Sequence, residues 1–321
     1  MSPDAWTPDD LPDLTGRLVV VTGANSGLGL EATVLLARHG ARVVMACRDA
    51  GRGDAARRAV LDRVPGADDR VAVRPLDLAD LASVESFAEG LAAGAPRVDV
   101  LLNNAGVMAI PRRRTADGFE MQLGTNHLGH VALTAALWPQ LVAAGRSGEH
   151  GDARVVTVSS DAHRFGRLDR RNLAWEHGYR RWRAYGLSKL ANLLFTFELD
   201  RRLHGTGLPV RAVAVHPGIS GTDLFADPLP GPLKGIGVGL NRLLTSSPAV
   251  ACWPLVRAAT DPAVLSGEYL GPSGVGRFAS GAVRQQPDPK ALDADDGEWL
   301  WEESADLVEI DPDFVTRDLD D

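Results

Sequence analysis

The chain has 321 residues, 45% of them hydrophobic, and a net charge of −8: enough apolar material for one large α/β core or two small ones, and a charge balance that argues against nucleic acid as a general partner. No apolar run reaches the roughly 18–20 residues that a membrane-spanning helix needs. The acidic, proline-rich start MSPDAWTPDDLPDLTGR lacks the features of a secretory signal, so a cytoplasmic location is expected. Cys47 and Cys252 sit in separate apolar runs without metal-site or disulfide spacing, so both are expected to be reduced and structural, with no metal bound.

In chain order, short β-branched runs alternate with segments of helical period, the pattern of a parallel sheet covered by helices on both faces. Strands are expected at 17–22, 42–46, 70–75, 98–103, 153–159 and 210–215, with GEYLG (267–271) as a last one. Helices are expected near 28–39, 50–63, 80–92, 118–143 and 180–204. Gly40 stops the first helix, and Pro65-Gly66 ends the second. The fold class is therefore α/β, a single-domain, Rossmann-type doubly wound sheet of about seven parallel strands. Residues 1–16 read as an N-terminal extension, 17–285 as the dinucleotide-binding catalytic domain, and 286–321 as an acidic tail that packs one helix through Trp299, Trp301 and Leu307 and then frays. Within the domain, 218–250 is rich in glycine and proline and reads as a substrate loop.

The first strand runs into TGANSGLG and then a helix, placing Gly23, Asn25, Ser26, Gly27, Leu28 and Gly29 at a strand–turn–helix junction. Glycines there let main chain approach a pyrophosphate, and the helix N-terminus offers it free N–H groups. After the second strand comes Cys47-Arg48-Asp49. An arginine at this point can pair with the 2′-phosphate of NADP, so NADP(H) is expected over NAD(H), while Asp49 starts the next helix as its cap. Asp77 and Leu78 follow the third strand, where the carboxylate could meet an adenine amino group; Asp77 or Asp80 could equally cap a helix. Asn103-Asn104-Ala105-Gly106 closes the fourth strand with a turn suited to a cofactor lying against main chain.

Tyr185 and Lys189 stand four apart in RAYGLSKLAN, hence on one helical face. A phenol of pKa ~10 exchanges protons poorly at neutral pH, and a neighbouring ammonium lowers that value. Ser160 ends the fifth strand, where a hydroxyl could bind a substrate oxygen, although Ser159 is adjacent. SSDAH also brings Ser, Asp161 and His163 together, but the G-x-S-x-G elbow of a serine hydrolase is absent.

Together, Gly23-x-x-x-Gly27-x-Gly29, Asp77, Asn103-Asn104-Ala105-Gly106, Asn126 in GTNHLGH, Ser160, Tyr185-x-x-x-Lys189, and Pro217-Gly218 with Thr222 resemble the classical short-chain dehydrogenase/reductase family over residues 17–222. ACRD, SSDAH, AYGLSKLANLLFTFELDRRL and AVHPG are similar to its retinol-dehydrogenase-like and WW-domain-oxidoreductase-like branch. The resemblance implies a mostly NADP-linked oxidoreductase of lipophilic alcohols, aldehydes or ketones. It implies Tyr185 as general acid/base, Ser160 as the serine that orients the substrate oxygen, Lys189 on the nicotinamide ribose, and Asn126 binding a relay water through its main chain. Gly23, Asn25, Ser26, Gly27, Leu28, Gly29, Arg48, Asp77, Leu78, Asn104, Ala105, Gly106, Tyr185, Lys189, Pro217, Gly218 and Thr222 would then hold the cofactor.

His163, Leu224 and Phe225 are candidates for the substrate pocket, with Leu229 and Leu233 adding apolar character. Seven arginines between 164 and 183 read as a solvated surface, with an anion-binding patch as the alternative. The expected partner is a small carbonyl or alcohol, and the resemblance implies a homodimer or homotetramer joined through the helices at 118–143 and 180–204. The rival function is a catalytically silent dinucleotide-binding regulatory or scaffold protein; an extended-branch epimerase or dehydratase would need a different glycine spacing and a larger C-terminal domain.

Overall fold

The strands are β1 (Leu18–Thr22), β2 (Arg42–Cys47), β3 (Val71–Pro75), β4 (Val100–Asn103), β5 (Ala153–Val158), β6 (Val210–Val215), β7 (Tyr269–Pro272) and β8 (Ala282–Arg284). They form one sheet in the order β3-β2-β1-β4-β5-β6-β7-β8 in a computed structural model that describes residues 5–218, 247–274 and 281–317. Seven strands are parallel, as expected; the eighth, β8, runs antiparallel to β7 along the edge. β8 is three residues long, too short to show a period in sequence. It also receives the N-terminal extension, since Trp6 exchanges main-chain hydrogen bonds with Ala282.

Every residue of β1, β4 and β5 is buried, as befits central parallel strands covered on both faces. Alternate side chains enter opposite cores: Val20 and Leu101 face one, Val19, Val21 and Leu102 the other. Helices α1 (Gly27–Arg38), α2 (Ala50–Arg63) and α3 (Leu81–Ala92) start close to their expected positions. Asp49 caps α2 by accepting the Arg52 N–H at 2.9 Å, and Asp80 caps α3 by accepting from Ala82 and Ser83.

The single helix expected over 118–143 is instead two, α4 (Met121–Ala136) and α5 (Trp138–Ser147), bent by 55°. Pro139, in the first turn of α5, has no N–H for the carbonyl four residues back, so the ladder breaks there. Within α4, Gly124–Leu128 widens into a π turn, the Gly129 N–H reaching back to the Gly124 carbonyl. Helix α6 (Arg181–Leu203) is buried on almost all sides, and α7 (Trp253–Thr260) covers the opposite face. Among the described residues no single helix is long and apolar enough to cross a membrane.

Helix α8 (Ala294–Leu307) and residues 308–317 lie along α4, α5 and α6. Trp301 stacks between Phe195 and Phe314, ring centres 5.4 and 5.2 Å away, and Phe314 meets Trp138 edge-on. Trp299 is only half-buried, with the Arg170 guanidinium over it. The segment therefore does not fray after α8: the Trp301 indole donates to the Pro312 carbonyl, and Val315 is buried. Part of the outer surface of α4 and α6, where the resemblance implied contact between subunits, is thus covered by the chain itself. Trp301→Ala is expected to cost about 3–5 kcal/mol of unfolding free energy in urea denaturation; an unchanged midpoint would mean that this segment contributes nothing to the core.

Candidate active site

The strand order reverses between β1 and β4, and the carboxyl ends of β1, β4, β5 and β6 converge around that crevice. Thr22 sits at its floor. The Thr22 hydroxyl accepts the N–H groups of Asn104 and Ala105, both at 2.9 Å, while the Asn104 amide donates to the Thr22 carbonyl at 2.7 Å. The glycine loop is thereby clamped onto the turn after β4.

Two of its glycines differ in what surrounds them. A Cβ on Gly29 would lie 2.6 Å from the Gly23 carbonyl oxygen and 2.7 Å from the Asn104 amide nitrogen, so this position is sterically closed. Gly27 has φ +54°, and a Cβ there would meet nothing within 4 Å. Open space over left-handed main chain at the start of a twelve-residue helix suits a pyrophosphate, because anion and N–H groups can then meet directly. Ser26 is exposed and makes no capping bond, leaving the first N–H groups of α1 available. The Cys47 thiol is held by the main-chain N–H groups of Ala24 and Asn25 and pushed up to about 11 by burial, so it remains a packed thiol. Arg48 is exposed beside this loop.

Asp77 folds into a local turn, accepting the Ala79 N–H at 3.0 Å, with its own N–H bonded to the Ser83 hydroxyl. Leu78 is buried and its carbonyl packs against Gly129. Pro217 and Gly218 follow β6, with Gly218 at φ +72° and its N–H donated to His216 Nδ1. Thr222, Leu224, Phe225, Leu229 and Leu233 lie outside the described residues.

Four residues come together from three places: Ser160 from the turn after β5, Tyr185 and Lys189 from α6, and Asn126 from α4. Ser160 starts a 3-10 turn, accepts the Ala162 N–H and is hydrogen bonded to the Tyr185 hydroxyl. Ser159 points elsewhere, donating to the Lys189 carbonyl at 2.7 Å. Lys189 Nζ donates to the Val158 carbonyl at 2.9 Å and lies 6.0 Å from the centre of the Tyr185 ring. Asn126 is completely buried: its Oδ1 accepts the Val107 N–H at 2.8 Å, and its amide donates to the Val107 carbonyl and the Ser188 hydroxyl. A Cβ on Gly106 would lie 3.0 Å from Asn126 Oδ1 and 3.6 Å from Lys189 Nζ, so the turn after β4 completes the cluster.

Burial governs the protons here. It lowers Lys189 to about 8 and raises the Tyr185 phenol, with the Ser160 hydrogen bond pulling the phenol partly back. The lowering of Tyr185 expected from the i, i+4 spacing is therefore not what the site does: burial of the phenol itself decides the direction, and Lys189 Nζ is turned to the Val158 carbonyl, 6.0 Å from the ring centre.

His163 does not line an open pocket. It is fully buried, its Nδ1–H donated to the Ser160 carbonyl at 2.6 Å and its Nε2 accepting the Asp288 N–H, which leaves no ring nitrogen for a substrate. The arginines of 164–183 are exposed; Arg170 pairs with Asp296 at 2.6 Å, and Arg164 faces Asp161 at 3.8 Å. Sequence reasoning missed Glu120, Gln122 and Tyr179. Gln122 donates to the Tyr179 hydroxyl and to the Arg181 carbonyl and accepts the Ala109 N–H, fastening the loop after β4 to the segment before α6. Glu120 caps α4 from a buried position that raises its carboxyl. Residues this far apart in sequence carry no local signal. Thr22 and His130 were also missed, although His130 stands four residues after Asn126 on one helical face.

The short chain dehydrogenase family profile matches residues 17–230. Human retinol dehydrogenase 12 is 41% identical over 92% of this chain and 88% of its own length, and human retinol dehydrogenase 13 is 39% identical over 92% and 85%. A crystal structure from Mycobacterium paratuberculosis superposes with a TM-score of 0.77 at 42% identity, covering 96% of this chain and 98% of that one. A short chain dehydrogenase from Shigella flexneri crystallised with NADP shares the fold at a TM-score of 0.60 and 22% identity, over 81% and 98%. Sequence and fold agree: the chain belongs to the short chain dehydrogenase family.

Proposed function

We propose that this protein is an NADP(H)-dependent oxidoreductase that interconverts a lipophilic carbonyl compound and its alcohol, with Tyr185 as general acid/base. The observation that carries the reading is the convergence of Tyr185, Ser160, Lys189 and Asn126 beside a glycine loop whose Gly27 faces open space. The names of the retinol dehydrogenases support an alcohol or carbonyl substrate, and the NADP in the Shigella neighbour supports the cofactor class.

Gly27 and the first N–H groups of α1 would hold the pyrophosphate of a nicotinamide dinucleotide, which would supply the hydride for the carbonyl carbon. Ser160 directs its hydroxyl at the carbonyl oxygen, fixing the substrate and countering the charge that develops there. Tyr185 gives its phenolic proton to that oxygen as the C=O π bond becomes an O–H bond. Lys189 restores the proton to Tyr185, and Asn126, immobilised on Val107 and Ser188, holds the α4 side of the relay in place. Alcohol oxidation runs the same steps backward. Arg48, exposed next to the loop, is the side chain for the 2′-phosphate.

The decisive experiment is NADPH consumption with a panel of aldehydes and ketones. Tyr185→Phe should lose nearly all turnover while still binding NADPH, measured by nucleotide fluorescence; equal inertness of wild type and variant, with binding intact, would instead establish the silent dinucleotide-binding protein. Arg48→Ala should lower kcat/KM for NADPH roughly 10- to 100-fold, the worth of one charge-assisted hydrogen bond, and leave NADH almost unaffected. A wild type that prefers NADH would overturn the assignment of Arg48.

The depressed Lys189 value sets a pH limit. Above about 8 the free protein loses the proton that Lys189 supplies, so kcat/KM for reduction should fall on that side, and Lys189→Arg should move the fall to higher pH. A flat profile between pH 7 and 9 would contradict this. The same shift acts on folding: the cost of burying charged Lys189 is fully present below pH 8 and is relieved between about 8 and 10.5, where only the unfolded chain holds the proton.

The glycines separate binding from folding. Gly29→Ala should cost about 1–3 kcal/mol of stability because one obstructing group is main chain and the other, the Asn104 amide, is bonded to the Thr22 carbonyl, whereas Gly27→Ala should lose nucleotide affinity with a left-handed strain of only about 1–2 kcal/mol. Thermal unfolding and fluorescence titration of the two variants report the difference.

A further inference from the structure

His130 lies on α4, one turn beyond Asn126, and is 1% exposed. Both ring nitrogens are engaged: Nδ1 is 3.0 Å from the Asn126 main-chain carbonyl oxygen and Nε2 is 3.0 Å from the Thr22 hydroxyl. A carbonyl only accepts, so Nδ1 carries the proton. Burial, together with the charge of nearby Lys189 and with His127, lowers the ring to about 3, which keeps it neutral and leaves Nε2 with a lone pair. The Thr22 oxygen already accepts from Asn104 and Ala105, so its one proton is free to donate, and the alternatives are His130 Nε2 at 3.0 Å and the Leu102 carbonyl at 3.2 Å. The shorter bond also satisfies a buried nitrogen that has no other donor.

From this we infer that His130 is a positioning residue: locked as the Nδ1–H tautomer, it joins Thr22, under the glycine loop, to the main chain of Asn126, and so holds the cofactor cradle and the proton-relay helix in one register. The link runs from the Asn104 and Ala105 N–H groups through the Thr22 hydroxyl and the imidazole to the Asn126 carbonyl, without a charged member. It meets α4 inside the π turn, where the usual ladder is displaced. An apolar side chain at 130 would leave the Asn126 carbonyl without this donor and return the Thr22 proton to Leu102, uncoupling the two halves. The functional consequence rests on the oxidoreductase reading; the tautomer does not.

Three substitutions take the link apart. The Asn amide nitrogen occupies the place of Nδ1 and the Gln amide that of Nε2, so His130→Asn keeps the donor to Asn126, His130→Gln keeps a partner for Thr22, and His130→Phe keeps neither. His130→Phe should lower kcat about ten-fold or more, the effect of leaving a buried polar group unsatisfied, and weaken NADPH binding as well. His130→Asn should recover most of kcat, and His130→Gln most of the nucleotide affinity. If all three variants fall together, in step with their thermal stability, His130 only fills space and the inference is wrong. In the cofactor-free wild type, nitrogen NMR of labelled histidine, assigned with His130→Gln, should show one ring protonated at Nδ1 and unprotonated at Nε2, unchanged from pH 5 to 9. The opposite tautomer, or titration in that range, would overturn the proposal whatever the activity. A wild type with this signature but no NADPH turnover would sink the functional reading alone.

Discussion

One hydroxyl, that of Thr22, ties together the strand ends that border the crevice. At the carboxyl edge of a parallel sheet the strands run out of partners, and β1 and β4 must diverge for a ligand to enter between them. Thr22 closes that edge by accepting two main-chain N–H groups from the turn after β4, and Asn104 answers with a bond to the Thr22 carbonyl. Gly23 is drawn so near to Ala105 that a Cβ would stand 3.0 Å from its Cα, and Gly29 is closed by the same Asn104 amide. Gly27 alone of these three is left facing open space. The glycine spacing is thus a consequence of two different pressures, close approach at 23 and 29 and room for a ligand at 27.

The second constraint is dryness. Asn126, His130, Lys189 and Tyr185 are all less than one-tenth exposed, so each polar atom needs a partner within the protein. Asn126 spends its side chain on Val107 and Ser188, Lys189 donates to Val158, and Asn192 donates to the same carbonyl. An asparagine in mid-helix is poorly suited to a regular ladder; here it sits in a π turn with its side chain directed to a neighbouring loop.

The parts of this arrangement that were legible in sequence are those written within a few residues. β-branched runs marked six of the seven parallel strands and the short GEYLG run the seventh, and Asp49 could be read as a cap because a cap and its helix are contiguous. Ser160, Tyr185 and Lys189 could be named by motif, but their hydrogen bonds depend on where β5 and α6 lie against each other. The bend before Trp138 was missed because the apolar period continues across Pro139, and the packing of 308–317 because Phe314 and Val315 find partners more than a hundred residues away. His163 misled for a related reason: its neighbours in sequence suggested a site, whereas Asp288 and Ser160 had already taken both of its nitrogens.

Burial also orders the protons. In water a lysine and a tyrosine have nearly equal proton affinities. Here desolvation penalises a charged form in each case, but the charged form is the protonated one for Lys189 and the deprotonated one for Tyr185. The same physical effect therefore drives their affinities apart, Lys189 down to about 8 and Tyr185 up. In the proposed reduction, a phenolate left behind by proton donation is the stronger base and Lys189 the weaker holder, so the return of the proton to Tyr185 is downhill. In that proposed step the i, i+4 pair works through this difference, and burial in the dry site around Asn126 and His130 is what creates it.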